Sequence, residues 1–329
     1  MIATWRVRPF RRCGGAPEVW HLRPGLSSPW QRVGTTISVK GFFAVAIWGA
    51  SFVATRVALQ ALDPFALVAL RLWMGALLLT LVIGARGGPR LPAAKDRPAC
   101  MGLGLVLAAH LLIQAYGLRS TTAINTGWIV GFMPVTIALA ALLLGKQRLR
   151  SVGWLGVTIG TAGVLVVTLR EPPNFADAHF GDLLQLVSCL TWTAYTLAGA
   201  GPVARNGALR VTALAMVVAA ALASVATIWT GVLAGPLTRN ALLALAFLGL
   251  LCSGVAYYLW SAAVDDHGPA RVGALLYVEP FVTLVTAALV LREPVTTNAL
   301  AGGACVLCGV WFVARGTEKP VAFELTEQA

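Results

Sequence analysis

The chain has 329 residues, of which 58% are hydrophobic and only 12% are charged, and its mean hydropathy is +0.78. Because a soluble domain carries roughly 25% charged residues, this composition excludes a soluble globule and indicates an integral membrane protein. The net charge of +12 would suit a nucleic-acid-binding protein, but the basic residues lie in tails and alternate loops, as in membrane proteins. We therefore expect the chain to contact a lipid bilayer and not a nucleic acid.

Motifs of metal, redox or hydrolytic chemistry are scarce. The six cysteines are scattered, and the one close pair, Cys305 and Cys308, lies inside an apolar block, which favours packing over a redox or metal site. The four histidines lie far apart, and the chain contains no H-E-x-x-H, G-x-S-x-G or G-x-x-x-x-G-K-[ST] sequence. We therefore expect no metal, no cofactor and no ATP hydrolysis, and a membrane-embedded enzyme is a remote alternative.

The two ends of the chain differ from the rest. Residues 1–37 hold six arginines, four prolines and no apolar run, and we expect a disordered, basic cytoplasmic tail. A wrongly assigned start, with Val33 as the true beginning, is the alternative. Residues 317–329 form a C-terminal tail.

Ten apolar blocks fill the region between the tails. Each is about as long as the ~20 residues that an α-helix needs to cross a bilayer, and helices satisfy their own backbone hydrogen bonds in lipid. We therefore predict an all-α membrane protein with ten transmembrane helices. The blocks are residues 41–61, 64–85, 98–118, 123–144, 151–169, 180–200, 209–233, 241–263, 269–291 and 298–315.

The distribution of Lys and Arg predicts the orientation of these helices. If the N-terminus is cytoplasmic, the cytoplasmic segments hold 19 of the 25 basic residues and the opposite side holds four. Since cytoplasmic loops carry the excess of Lys and Arg, we expect both termini in the cytoplasm and the protein in a bacterial inner (plasma) membrane.

An internal repeat relates two parts of the helical region. A shift of 146 residues brings the fourth and fifth blocks onto the ninth and tenth without a gap. The shift superimposes Gly127 on Gly273, Pro134 on Pro280, Leu143 on Leu289, Lys146 on Arg292, Gly156 on Gly302, Gly163 on Gly309 and Val164 on Val310. Because five helices are an odd number, the second copy must enter the membrane upside down. We predict two inverted repeats, residues 38–170 (the first half) and 178–316 (the second half), which meet at a site near the bilayer midplane.

Several short sequences occur in a characteristic order along the chain. They are residues 47–52 (IWGASF) with Arg56, Pro64 with Arg71, Gly181-Asp182 with Trp192 and Tyr195, residues 278–280 (VEP) and residues 291–294 (LREP). In this order they resemble the sequences of one known family, the EamA-type ten-helix exporters of the drug/metabolite transporter superfamily. The resemblance covers residues ~38–316 and implies a ten-helix exporter. Gln147 departs from the family pattern, because the first half of such proteins commonly carries glutamate at this position, which matches Glu293 in the second half.

Ionisable residues inside the predicted helices are the first functional candidates, because a charge at the bilayer centre is costly. Glu279 lies about ten residues into the ninth block, roughly 15 Å from its start, and Pro280 after it loosens the helix. Its carboxylate could bind a substrate amine, exchange a proton or form a structural ion pair. Arg71 suits a structural contact or a substrate carboxylate, whereas Arg56 suits a structural role. His110 could relay protons or only bridge two helices.

Polar and aromatic residues near the helix centres predict a cavity for a small amphipathic solute. Besides Glu279 and Arg71, the candidates are Trp48, Ser51, Gln114, Asn125, Trp128, Trp192, Tyr195, Tyr258, Trp260 and Tyr277. A second group consists of glycines, which allow close helix packing within the protein or in a dimer. These are Gly156, Gly160 and Gly163 in the fifth block and Gly302 and Gly309 in the tenth.

Together these features predict a secondary transporter that exports small metabolites, either amino acids or amphipathic compounds, by alternating access. Coupling to protons and assembly as a monomer or a homodimer are open alternatives. A sugar-phosphate or nucleotide-sugar exchanger on the same fold is the second hypothesis, but such substrates call for several cations in the cavity. Only Arg71 and Arg56 are available within the helices.

Overall fold

A computed structural model of the chain describes residues 38–87, 89–144, 148–168, 178–267 and 274–318. The predicted N-terminal tail, residues 319–329 of the C-terminal tail and Gln147 lie outside these residues. Within them, nine helices are long and apolar enough to cross a bilayer, and Leu275–Leu291 forms a shorter apolar helix. The prediction of an all-α membrane protein with ten membrane segments is confirmed.

The described helices follow the predicted blocks closely. They are α1 (Val39–Ala58), α2 (Pro64–Arg86), α3 (Arg97–Ser120), α4 (Ala123–Val130), α5 (Met133–Leu143), α6 (Ser151–Thr168), α7 (Ala178–Asn206), α8 (Ala208–Thr230), α9 (Arg239–Ala246), α10 (Ala256–His267), α11 (Glu279–Thr286) and α12 (Thr297–Gly316). Short 3₁₀ turns cover Ala94–Asp96 and Ala274–Val278, and π-helical segments cover Phe247–Val255 and Ala287–Leu291. Two short strands, β1 (Arg148–Leu149) and β2 (Thr317–Glu318), pair antiparallel.

Local sequence signals explain where several helices begin. Ser38, Asp63, Thr122 and Thr238 precede α1, α2, α4 and α9, and the side chain of each accepts a hydrogen bond from a backbone N–H of the first turn. These are the residue types that best satisfy the unpaired amides at a helix start. Pro64 follows Asp63 at the first helical position, where the missing N–H of proline costs nothing.

The fourth and ninth spans are both interrupted beside a proline. In the fourth span α4 ends at Val130, and α5 restarts at Met133 with Pro134 as its second residue. In the ninth span the 3₁₀ turn gives way to α11 at Glu279, again with proline, Pro280, as the second residue. Proline cannot donate the helical hydrogen bond and clashes with the preceding turn, so a new helix starts at each site.

The fifth and tenth spans, α6 and α12, pack against each other through the predicted glycines. A Cβ atom on Gly163 would lie 2.6 Å from the Gly302 carbonyl oxygen, and one on Gly156 would lie 2.5 Å from the Gly309 carbonyl oxygen. A Cβ on Gly309 would lie 2.4 Å from the Gly160 nitrogen. Only glycine permits backbones to approach this closely.

Contacts between the span connections define two faces of the domain. The side with the connections after α1, α3, α8 and Leu291 is here called the Glu293 face, and on it Asp63 N donates to the Val232 carbonyl at 3.1 Å. The opposite side, with the connections after α2, α5 and α7 and the end of α12, is called the Asp96 face. There Arg205 Nη2 contacts Asp96 Oδ1 at 2.7 Å, and β1 pairs with β2.

Candidate functional site

A cavity of about 70 Å³ lies among the central parts of the helices. At roughly 10–15 Å³ for each water molecule, it has room for several waters or for part of a small solute. Seven of its lining residues are sequence-predicted candidates: Trp48, Ser51, Arg71, His110, Gln114, Trp192 and Glu279. The other lining residues are Phe52, Leu111, Val130, Gly131, Met133, Pro134, Tyr257 and Leu276.

Many lining residues form pairs at nearly the same sequence separation. The pairs are Trp48 with Trp192, His110 with Tyr257, Val130 with Leu276 and Met133 with Glu279, separated by 144, 147, 146 and 146 residues. The last two pairs follow the predicted repeat offset. The first two have similar separations and join the first span to the sixth and the third span to the eighth, so the equivalence of these spans stays a prediction.

Two aromatic contacts in the cavity wall follow this pairing. The Trp48 and Tyr257 rings meet edge-on with centroids 5.1 Å apart, and the Trp192 and His110 rings are 5.3 Å apart. Each contact joins the first span of one half to the third span of the other half. Trp48 Nε1 also donates to the Cys252 carbonyl at 3.1 Å, which fixes the ring against the π-helical segment.

Glu279 places an ionisable carboxyl group in this wall. As the first residue of α11, it lies at a helix N-terminus, where the helix dipole favours negative charge. Its backbone carbonyl accepts from Thr283 Oγ1 at 2.9 Å. Within the described part of the chain, no side chain or amide forms a hydrogen bond or an ion pair with its carboxylate. The group is therefore available to a solute or a proton.

Arg71 carries the opposite charge in the same cavity. It is the eighth residue of α2, and only 7% of the residue is exposed. Its Nε donates to Ser253 Oγ at 3.3 Å. Arg71 and Glu279 do not form an ion pair with each other in the structure. The two charges consequently occupy separate positions in the cavity wall.

His110 both lines the cavity and connects two helices. Its Nδ1 lies 3.1 Å from the Ser188 carbonyl and 3.1 Å from Thr191 Oγ1, and only 4% of the residue is exposed. Since a carbonyl can only accept, Nδ1 carries the proton and Nε2 is the acceptor in the neutral ring. Gln114, one helical turn further along α3, also contacts α7, because its backbone carbonyl accepts a hydrogen bond from Gln185 Nε2 at 3.0 Å.

The remaining sequence-predicted candidates lie outside the cavity lining. Tyr195 stacks on Trp192 at 5.5 Å, and Trp260 packs on Trp48 at 5.2 Å, so both lie behind the wall. Tyr258 lies under the Arg86 guanidinium at 5.0 Å.

Three more candidates are held within or between helices. Asn125 lies in the first turn of α4 and is buried, and Tyr277 is half-buried in the 3₁₀ turn before Glu279. Trp128 is 3% exposed, packs edge-on against Phe281, and its indole N–H has no partner within the described residues.

Tyr257 is the main lining residue that sequence reasoning missed. It neighbours Tyr258, which was selected instead, and periodicity in an apolar helix does not tell which neighbour faces a cavity. The predicted offset of 146 residues does not identify it either, because this offset aligns His110 with Ala256.

Glu293 forms a second polar centre at the Glu293 face. Its Oε1 accepts from Arg56 Nη1 at 2.8 Å and from Ala123 N at 3.0 Å, and its Oε2 accepts from Ile124 N at 3.0 Å. Arg56 Nη1 also donates to the Thr121 carbonyl at 2.8 Å. The carboxylate therefore caps the N-terminus of α4 from a distant part of the chain and holds α1 beside it.

Comparisons with known proteins agree with this architecture. A family model described as the EamA-like transporter family matches residues 36–169 and 179–315. An Archaeoglobus fulgidus protein named as an uncharacterized transporter is 27% identical over 274 residues, which are 80% of this chain and 92% of that protein. A Streptantibioticus cattleyicolor protein named as a probable terminal-alkyne amino-acid exporter is 27% identical over 277 residues, 83% of this chain and 91% of that protein. One solved crystal structure, 23% identical, superimposes with a TM-score of 0.63 over 84% of this chain and 96% of its own, and shares the fold.

Proposed function

Because the chain belongs to the EamA-like transporter family of the drug/metabolite transporter superfamily, we propose that it exports small metabolites, amino acids or amphipathic compounds, as a secondary transporter. The family and the relatives named as transporters indicate transport rather than catalysis. The observation that carries the proposal is the cavity, whose wall contains the unpartnered Glu279 carboxylate. Such a group can bind a cationic part of a solute or take up and release a proton.

The pairing of lining residues supports alternating access as the mechanism. A cavity built from equivalent positions of two inverted halves can open to either side when the halves exchange conformations. Trp48 with Trp192 and Met133 with Glu279 place such positions in one wall. The bias of Lys and Arg to the predicted cytoplasmic segments favours an orientation with both termini inside, so that the Glu293 face is the outer side.

Export as the direction rests on two supports. The sequence resembles EamA-type exporters, and one relative over most of its length is named as a probable amino-acid exporter. An exchanger of phosphorylated solutes is less favoured, because phosphate groups call for several cations. Arg71 is the one Lys or Arg among the described residues that line the cavity.

The proposal is tested by exchanging the cavity carboxylate. A bacterial host that overproduces the protein is screened for resistance to toxic amino-acid analogues and amphipathic drugs, and efflux of each protected compound is then measured from proteoliposomes with and without a pH gradient. Glu279→Gln should lower the efflux rate roughly ten- to hundredfold, as expected when a charged contact is lost. Arg239→Gln, at the exposed start of α9, serves as the matched control for insertion and amount.

Wild-type efflux in a correctly inserted Glu279→Gln protein would exclude this carboxylate from binding and coupling. Efflux that ignores the pH gradient would leave the transporter assignment intact but exclude proton coupling.

A further inference from the structure

The cavity presents an arginine and a glutamate that do not neutralise each other, and we propose that Arg71, held in position by Ser253, forms a carboxylate-binding subsite for a zwitterionic solute. The solute's ammonium group then contacts Glu279. This inference rests on the proposed transport function and decides between its two substrate classes. It selects solutes of the amino-acid type over amphipathic cations.

The hydrogen bonding of Arg71 is the first support for this subsite. A guanidinium group has five N–H donors, and within the described residues Arg71 uses one of them, Nε, on Ser253 Oγ at 3.3 Å. The residue is 93% buried, yet it belongs to the cavity wall. The free donors of this residue face a cavity that is shielded from bulk water, and an anionic oxygen in the cavity would accept hydrogen bonds from them. A planar carboxylate matches the fork of the two Nη groups.

Close packing of the backbone fixes the position of this group. Gly75, one turn after Arg71 in α2, contacts the π-helical segment so closely that a Cβ atom on it would lie 2.5 Å from Ser253 Cβ. On the other side of the segment, Trp48 Nε1 holds the Cys252 carbonyl at 3.1 Å. The Ser253 hydroxyl, which is 1% exposed and lies behind the cavity lining, accepts from Arg71 Nε and so holds the guanidinium in place while its two Nη groups stay available to a solute. The subsite is therefore assembled before a solute arrives.

The separation of Arg71 from Glu279 determines the class of solute. A solute with only an ammonium group would bring a second positive charge into the cavity and leave Arg71 without an anion. A solute with only a carboxylate would bring a second negative charge into the cavity and leave Glu279 without a cation. A zwitterion satisfies both groups and adds no net charge. Its apolar side chain would lie against the aromatic rings of Trp48, Trp192 and Tyr257, which belong to the same wall.

The test uses two matched sets of small molecules that share one apolar part. The first contains L-phenylalanine, phenethylamine and 3-phenylpropanoate, and the second contains L-leucine, 3-methylbutylamine and 4-methylpentanoate. Binding to the purified full-length protein is measured by protection against thermal unfolding, and flux is measured in proteoliposomes. In at least one set the zwitterion should bind roughly ten- to hundredfold more tightly than either singly charged analogue.

Variants then assign the preference to Arg71. In Arg71→Gln the affinity for the zwitterion should fall and the affinity for the amine should not fall, because the carboxylate contact and the repulsion of the amine are lost together, so that the two affinities become similar. Ser253→Ala removes the acceptor that positions Arg71 and should reduce the affinity for the zwitterion by about three- to tenfold. This variant is the second test if Arg71→Gln does not fold. Arg86→Gln, at the exposed end of the same helix, is the matched control and should behave as wild type.

Several results would overturn the inference while the transport function stands. They are amine binding as tight as zwitterion binding in the wild type, an unchanged zwitterion-to-amine ratio in both variants, and transport only of compounds that lack a carboxylate. A reconstituted wild-type protein that moves no compound would instead refute the transport function, and the subsite with it.

Discussion

Met133 and Glu279 occupy equivalent positions in the fourth and ninth spans, but only Glu279 can carry a charge. Each is the first residue of a helix, each is followed by a proline, and each lines the cavity. At these two positions similar backbone lines the cavity, and only the ninth span contributes a carboxylate. A solute in the cavity would therefore meet a thioether at Met133 and a carboxylate at Glu279.

A similar difference separates the ends of these two spans. Glu293 follows the ninth span and binds both Arg56 and the N-terminus of α4. Its counterpart after the fourth span is Gln147, a neutral amide outside the described residues. A carboxylate is a stronger acceptor for helix amides and arginine than an amide oxygen. The comparison indicates that the second half supplies both the cavity carboxylate and the carboxylate that closes the Glu293 face.

The largest expected effect comes from moving the cavity carboxylate from one half to the other. Glu279→Met should reduce efflux by about a hundredfold, because the cavity loses its only described carboxylate. Adding Met133→Glu to this variant returns a carboxylate to the equivalent helix start. If positions 133 and 279 are equivalent in function, efflux by the double variant should be roughly tenfold faster than efflux by Glu279→Met.

Efflux from proteoliposomes that contain equal amounts of protein measures this recovery. Met133→Glu alone, which places two carboxylates in the wall, controls for the fold. A folded double variant that is as inactive as Glu279→Met would show that the two positions are alike in backbone but not in function.

The sequence predicts the parts of this site that depend on local features, and it does not predict the parts that depend on contacts between distant helices. Glu279 and Arg71 were identifiable because a charge inside an apolar block is conspicuous whatever it touches. Tyr257 was not, because the choice between neighbouring tyrosines depends on the packing of α10 against α1. The π-helical segment from Phe247 to Val255 was likewise hidden, since apolar composition does not distinguish a π-helix from an α-helix.

Contacts between distant parts of the chain were the least predictable. Glu293 was recognised as part of a family motif, but its bond to Ile124 joins residues 169 positions apart. No local pattern specifies such a contact. The helix starts at Ser38, Asp63 and Thr122, in contrast, depend on a hydrogen bond from a backbone N–H two or three residues later in the chain. Such a start is therefore recognisable from the local sequence.

An intermediate effect, on stability, is expected at the interface between α6 and α12, where glycines of both helices pack closely. Gly163 and Gly309 are partners at the predicted offset of 146 residues, and a Cβ atom on either would lie within 2.4–2.6 Å of the facing backbone. Gly163→Ala and Gly309→Ala should therefore each lower the free energy of unfolding by about 2–3 kcal/mol, because overpacking forces the helices apart. Thermal unfolding of the purified variants measures the loss. Gly102→Ala, where a Cβ atom meets nothing within 4 Å, is the control. A large loss from one variant and none from the other would refute equal packing of α6 and α12.

The smallest expected effect concerns the contact between Glu293 and α4. In Glu293→Gln the amide group cannot accept from Arg56, Ala123 and Ile124 together, and its own N–H₂ faces one of these donors. We expect a loss of about 1–2 kcal/mol in the free energy of unfolding, measured by thermal unfolding.

The same variant should also expose the cavity, because this carboxylate holds α1 to α4 at the Glu293 face. A cysteine is placed at Ser51 in the cavity, and a thiol reagent is applied from the Glu293 face. In Glu293→Gln this cysteine should label faster than in the otherwise wild-type protein. Arg239→Gln, on the same face at a residue that is not among the bonding partners of Glu293, should not change the labelling rate. Unchanged labelling together with normal stability would mean that Glu293 neither closes this face nor distinguishes the second half from the first.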